Sequence, residues 1–109
     1  MSKKAMISLP MAGKPEAQIK SEIGVARSRL ESLGYEVVDT FFGDITEYGQ
    51  VINPPLYFLA KSLEQMSHVT MVYFCDGWEN ARGCIIEHGA AKAYGLDVIY
   101  EKCNASDLH

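Results

Sequence analysis

Between Asp76 and Gly95 the chain reads DGWENARGCIIEHGAAKAYG, a glycine-containing turn that leads into a helix carrying one carboxylate, Glu87, among small and apolar residues. Glu87 follows Gly83 by four residues, about one helical turn. Its neighbours Ile86, Ala90 and Ala91 give the carboxylate a partly apolar setting, where desolvation raises its pKa unless donors stabilise the charge. A carboxylate held beside a sugar carbon is a nucleophile: attack forms a covalent glycosyl intermediate and splits one difficult displacement into two easier ones. That chemistry also needs a proton source for the departing base and acceptors that orient the ribose. Asp39, Asp76 and Tyr57 are the candidate suppliers.

Gly77 and Gly83 permit close backbone approach, and the N–H groups around Ala81, Arg82, Gly83 and Cys84 point outward at the start of the helix, a ready anion site. The plainer reading is an ordinary turn with tight helix packing. Neither the GxGxxG dinucleotide fingerprint nor the GxxxxGK[ST] phosphate loop occurs, which speaks against a nicotinamide enzyme or an ATPase. Trp78 either stacks on a base or packs its own loop. Arg82 either pairs with a phosphate or sits on the surface.

The elements that must position these groups follow an α/β order. AMISL, Ala5 to Leu9, is an apolar strand, and Pro10 to Gly13 forms a loop at its end. Ile19, Ile23, Ala26, Leu30 and Leu33 recur at spacings of four and three, which predicts a helix with Pro15 in its first turn and Gly34 as its stop. Tyr35 to Asp39 reads as a second strand. Residues 41 to 55, with Gly43, Gly49, Pro54 and Pro55, read as an irregular excursion. Leu56, Leu59, Leu63 and Met66 form the stripe of a second helix, which feeds VTMVYF, Val69 to Phe74, the best candidate for the middle of a sheet. A third helix is expected from Asn80, as its N-cap, to Tyr94, with Gly95 as its stop; Gly83 and Gly89 within it suggest close packing or ligand approach. Leu96 to Tyr100 is the last strand. The sum is a single domain, residues 1 to 109, with a flavodoxin-like, Rossmann-like three-layer sandwich around a small parallel sheet of four or five strands. In such a sheet the ligand crevice lies at the carboxyl ends of the strands, where Pro10 to Gly13, the residues after Asp39, and Asp76 to Gly83 all arrive.

A chain of 109 residues has room for one modest core, and 48% hydrophobic with 22% charged residues suits a folded domain rather than disorder. Ten basic against 14 acidic residues, a formal charge of −4, provide no cationic face for duplex nucleic acid, while leaving a nucleotide-sized ligand open. No apolar run approaches the roughly 18 residues a membrane span needs, so a soluble, cytoplasmic protein with no membrane partner is expected. Cys75, Cys84 and Cys103 lack CxxC spacing and are expected to be buried or inert thiols; with His68, His88 and His109 they form no familiar metal-ligand pattern, so neither metal nor cofactor is expected.

SLPMAG at Ser8 to Gly13, the strand VTMVYF, and GWENARGCIIEHGAAKAYG at Gly77 to Gly95 resemble the nucleoside 2-deoxyribosyltransferase superfamily, and most closely its small DUF4406-type branch. The order Trp78, Ala81, Gly83, Glu87 carries the match, which extends over nearly the whole chain and is weakest at residues 41 to 58. The resemblance implies cleavage or transfer at the N-glycosidic bond of a nucleoside or nucleoside 5′-monophosphate, with Glu87 attacking C1′. It implies that Ser8, Met11, Ala12 and Gly13 line the site, that Ala81, Arg82 and Gly83 face the sugar-phosphate, and that neighbouring subunits of a homodimer or higher homo-oligomer complete the pocket. Two positions depart from the family pattern: Ser62 and Thr70 stand where active members commonly have aspartates. A hydroxyl in place of a carboxylate removes a strong acceptor and a proton-transfer group, with Asp76, at the other end of the strand, as a candidate to compensate. The alternative reading is therefore a nucleotide-binding or sensing protein that retains the pocket without turnover.

Overall fold

The computed structural model describes residues 3–38 and 52–101. The elements run β1 (Lys3–Ser8), α1 (Glu16–Ser32), β2 (Tyr35–Val37), α2 (Pro54–Met66), β3 (Met71–Phe74), α3 (Arg82–Ala93) and β4 (Asp97–Tyr100). The four strands form one parallel sheet in the order β2-β1-β3-β4, flanked by helices on both faces, a flavodoxin-like arrangement. The chain steps from β1 outward to β2, then returns past β1 to β3 and β4. The order therefore reverses between β1 and β3, and the crevice of an open α/β sheet forms at such a reversal.

Period-two alternation assigns each strand residue to a face. Ala5, Ile7 and Leu9 with Met71, Tyr73 and Cys75 pack under Ala26 and Leu30 of α1. Met6, Val72 and Phe74 turn to the other face, where Met66 at the end of α2 and Ala91 of α3 cover them. All four residues of β3 are buried, as its uninterrupted apolar run requires. Leu30 and Phe74 are fully buried, each contributing about 1.5–3 kcal/mol by the area it removes from water.

The ends of the helices differ from the sequence expectation in instructive ways. Pro15 is the N-cap of α1, in extended conformation, so the helix starts one residue later than predicted. Gly34, at φ 93°, ends α1 as expected. Pro54 and Pro55 belong to the first turn of α2 rather than to the preceding excursion, because first-turn N–H groups need no intrahelical acceptor and proline lacks that group. Asn53 caps the turn, its Oδ1 accepting the Leu56 N–H at 3.1 Å. Asn80 is not the cap of α3: it closes a 3-10 turn over Trp78–Asn80, and Ala81, extended at φ −112°, takes the N-cap position without a side-chain acceptor. At the other end Gly95 adopts φ 74°, and the Leu96 N–H reaches the Ala91 carbonyl at 2.9 Å, a Schellman stop. β2 ends at Val37, so Asp39 and the excursion up to residue 51 lie outside the described residues, as do Cys103 and His109. Among the described residues no helix is long and apolar enough to cross a membrane.

Candidate functional site

Ser8 is the last residue of β1, and alternation turns it to the same face as Met6, toward α2 and α3. On α3 the residues Cys84, Glu87 and Ala91 recur at three and four and are buried against the sheet. Glu87 thus occupies a position on the inward stripe that an apolar residue would ordinarily fill. Both side chains are almost wholly removed from water, Ser8 at 2% and Glu87 at 7% exposure. The Ser8 hydroxyl donates to Glu87 Oε1 at 2.5 Å, within the range of charge-assisted O–H···O⁻ bonds.

Ser62 of α2, half-buried, also favours the charged form of the carboxyl. Burial pushes the Glu87 carboxyl above its ordinary range, and the Ser8 and Ser62 hydrogen bonds oppose that rise by favouring the charged form. Cys84, one turn back along α3, is buried beside Ser8; burial raises its thiol, the Ser8 hydrogen bond lowers it, and the Glu87 charge raises it. Cys75, at the end of β3, is pushed up to about 12, chiefly by burial and then by Glu101 and Glu22. Both cysteines are free, buried thiols, as the sequence indicated.

The loops after β1 and β3 meet at the carboxyl edge of the sheet. Gly77 adopts φ 90°, a conformation that strains other residues, and a Cβ there would lie 3.7 Å from the Pro10 ring. The β1 and β3 loops are therefore in van der Waals reach of each other. Met11 is half-buried, Ala12 and Gly13 are exposed, and Gly13, at φ 77°, lies in a turn whose Met11 carbonyl accepts the Lys14 N–H at 3.2 Å. Ala81 and Gly83 are half-buried and Arg82 is exposed at the start of α3, whose first N–H groups receive no side-chain cap. Among the described residues a Cβ at Gly83 or Gly89 would meet nothing within 4 Å, so packing against those residues explains neither glycine.

Asp76 is exposed, and its main-chain N–H donates to Glu101 Oε1 at 2.9 Å. Trp78 stacks on His88 with centroids 4.2 Å apart and lies 5.4 Å from Phe74, and His88 Nε2 is 2.6 Å from the Tyr100 hydroxyl. The tryptophan is thus part of the wall formed by β3, α3 and β4, with one ring face already occupied. Burial, then Lys92, lowers the His88 pKa. Tyr57 packs edge-on against Phe58 and beneath Lys61 on α2. A hollow of about 110 Å³ lined by Glu22, Val25, Tyr73 and Glu101 opens on the α1 face, the side of the sheet away from Glu87.

The partner that sequence reasoning missed is Ser62. Leu59, Ser62 and Met66 follow one another at three and four on α2, with Met66 buried and the other two half-buried. Thr70, the other departure, donates its hydroxyl to the Lys4 carbonyl at 3.2 Å and belongs to the amino end of the sheet, far from the carboxyl edge. Among the described residues no group of three His, Cys, Asp or Glu side chains could hold a metal ion.

The model of a domain of unknown function, DUF4406, matches residues 3–100. The chain belongs to the DUF4406 family. The match runs from the first residue of β1 to the last of β4, and so takes in Ser8, Ser62 and Glu87 together. No curated protein matches the chain, and no solved structure does.

Proposed function

We propose that this DUF4406 protein cleaves or transfers at the N-glycosidic bond of a nucleoside or nucleoside 5′-monophosphate, with Glu87 as nucleophile. The observation that carries the reading is the buried Glu87 carboxylate at the β1/β3 reversal, hydrogen-bonded by the Ser8 hydroxyl. A carboxylate accepts about four hydrogen bonds, so the Ser8 bond leaves lone pairs for a substrate carbon. In the first step a Glu87 oxygen attacks C1′ and the C1′–N bond breaks, its electron pair leaving with the base. Water or an acceptor nucleoside then attacks C1′, restoring the carboxylate. The uncapped N–H groups of Arg82, Gly83 and Cys84, with the Arg82 side chain, suit a 5′-phosphate, and open space at Gly83 suits its approach. Ala12 and Gly13 fit the role of covering loop, and Trp78 that of a pocket wall.

A second reading, nucleotide binding or sensing without turnover, is favoured by the groups around Glu87. Among the described residues its polar neighbours are Ser8, Ser62 and Cys84, and none is a strong acid that would protonate a departing base. Asp76, the candidate acid, is solvent-exposed. Incubation with a panel of nucleosides and their 5′-monophosphates, followed by chromatography for free base, separates the two. Base release abolished by Glu87→Ala supports the nucleophile; release unaffected by it rejects Glu87. Binding without release across the panel supports sensing.

A further inference from the structure

We infer that His88 is a positioning residue for the loop after β3: its ring, stacked on Trp78 and bonded to Tyr100, holds the indole in place as a wall of the carboxyl-edge crevice. The inference rests on the reading of Trp78 as a pocket wall and names what fixes that wall. Within the loop Asp76, Glu79 and Asn80 are exposed while Trp78 is half-buried, so the indole is the large side chain by which the loop grips the domain. The 3-10 turn that carries it has no fully buried residue, and it follows Gly77, whose φ of 90° strains any other residue. Three elements meet the indole: α3 through His88, with centroids 4.2 Å apart and 25° between the planes, β3 through Phe74 at 5.4 Å, and β4 through Tyr100 at 5.7 Å. His88 is the closest of these.

A stack alone leaves an imidazole free to turn about its last torsion, which is broad and roughly two-fold. The hydrogen bond between His88 Nε2 and the Tyr100 hydroxyl, 2.6 Å long, removes that freedom. It forms in either neutral tautomer and in the imidazolium, because a tyrosine hydroxyl both donates and accepts. Register sets the anchors in a row: Ser8 pairs with Phe74 and Phe74 with Tyr100 across β1, β3 and β4. Consecutive residues of α3 reach the two ends of that row, Glu87 at Ser8 and His88 at Tyr100. The helix that carries the carboxylate therefore also anchors the β3 loop, and both are held in one frame. Burial, then Lys92 one turn along α3, favours the neutral imidazole. The other groups facing it among the described residues are Phe74 of β3, Tyr100 of β4 and Trp78 of the loop.

The chain has one tryptophan, so the fluorescence of the full-length protein excited at the indole band reports on Trp78 alone. An imidazolium in ring contact quenches indole emission, and a neutral imidazole does so far less. Lowering the pH from about 8 to about 5 should therefore dim the wild type in one step, with its midpoint below the ordinary histidine value of about 6.5. His88→Phe, which keeps a stacking ring and cannot titrate, should abolish that step and retain the wild-type emission maximum. His88→Ala should move the maximum to the red and open the indole to acrylamide. An aromatic pair shifts a loop equilibrium by about two- to tenfold, so nucleoside monophosphate affinity should fall by that factor in His88→Ala and recover in His88→Phe. A wild type whose emission follows that of His88→Phe across the pH range, or a His88→Ala protein with unchanged emission or affinity, would overturn the inference. Should His88→Ala fail to fold, the comparison of wild type with His88→Phe decides. Wild-type protein that binds no nucleoside monophosphate fails the proposed function alone, because the emission readouts need no ligand.

Discussion

Replacing Glu87 by glutamine keeps the shape of the side chain and removes its titration, so the difference in stability between variant and wild type isolates one buried group. Burial holds the folded-state pKa of Glu87 above that of the unfolded chain, about 4.3. Between those two values the native state keeps a proton that the unfolded state has lost. Stability contributed by this group is therefore fully present below about pH 4.3 and is lost as pH rises through the folded pKa. The slope for one group is at most about 1.4 kcal/mol per pH unit, and at 7% exposure solvent screening leaves most of it in place. Glu87→Gln has no such slope. Urea unfolding of both proteins at half-unit steps from pH 4 to pH 8 should show the variant gaining on the wild type as pH rises, then a constant difference once the carboxyl is ionised. In a domain of this size each kcal/mol corresponds to roughly 4–8 °C in Tm, so a thermal scan resolves the trend. Other carboxylates cancel in the difference. A gap that stays flat across the range, or one in which the wild type gains with pH, would mean that the Ser8 and Ser62 hydrogen bonds outweigh desolvation, and the account of the site would be refuted.

Gly83→Ala should leave stability unchanged or raise it by up to about 1 kcal/mol, since a Cβ there meets nothing and alanine is the better helix former. The same variant should weaken nucleoside monophosphate binding measured by calorimetry if a phosphate approaches that backbone; equal affinity would remove Gly83 from the site. Leu30→Ala, at a fully buried position on the inner face of α1, should cost about 2–5 kcal/mol in urea unfolding, and a cost below about 1 would contradict the described packing. A homodimer or higher oligomer is expected from the apolar side chains that α3 leaves in water, Ile85, Ile86 and Tyr94, the last 85% exposed. Sedimentation velocity should show more than one chain per particle; a monomer at micromolar concentration would exclude a pocket shared between copies.

How far the fold was legible follows from how many independent signals agreed at each point. β3 was visible because its uninterrupted apolar run is explained only by a strand covered on both faces, and both faces are covered. The stops at Gly34 and Gly95 were visible because a left-handed residue is needed there and glycine supplies it without strain. The starts were harder. Asn80 carries the chemistry of an N-cap but spends its position closing a 3-10 turn, because Gly77 reverses the chain early and Ala81 must extend before the helix can begin. Pro54 and Pro55 carry the composition of a loop and sit in a helix, since composition does not distinguish a first turn from a coil while the preceding Asn53 cap does. Glu87 was legible as an inward residue from its place behind the glycine turn. Ser62 was read as a lost acid, because comparison of residue types registers what is missing and not what the remaining hydroxyl still reaches.

That hydroxyl changes how the departure at Ser62 is weighed. A second carboxylate beside Glu87 would place two like charges in a buried site, where they cannot both ionise easily and would share a proton. Serine avoids the repulsion and donates instead of accepting, which favours the anion against the burial that raises the Glu87 carboxyl. For a nucleophile this is the favourable arrangement, because only the ionised form attacks; for protonation of a departing base it is the unfavourable one, because a serine is not an acid. If Glu87 acts as the proposed nucleophile, substrates whose base leaves without much help, or that bring their own proton source, are expected to react faster than those with a poor leaving group. Nucleosides graded by leaving-group pKa provide the measure. A rate that rises steeply as the base becomes more acidic follows from a lone carboxylate between two serines, and a flat dependence would require an acid elsewhere in the pocket.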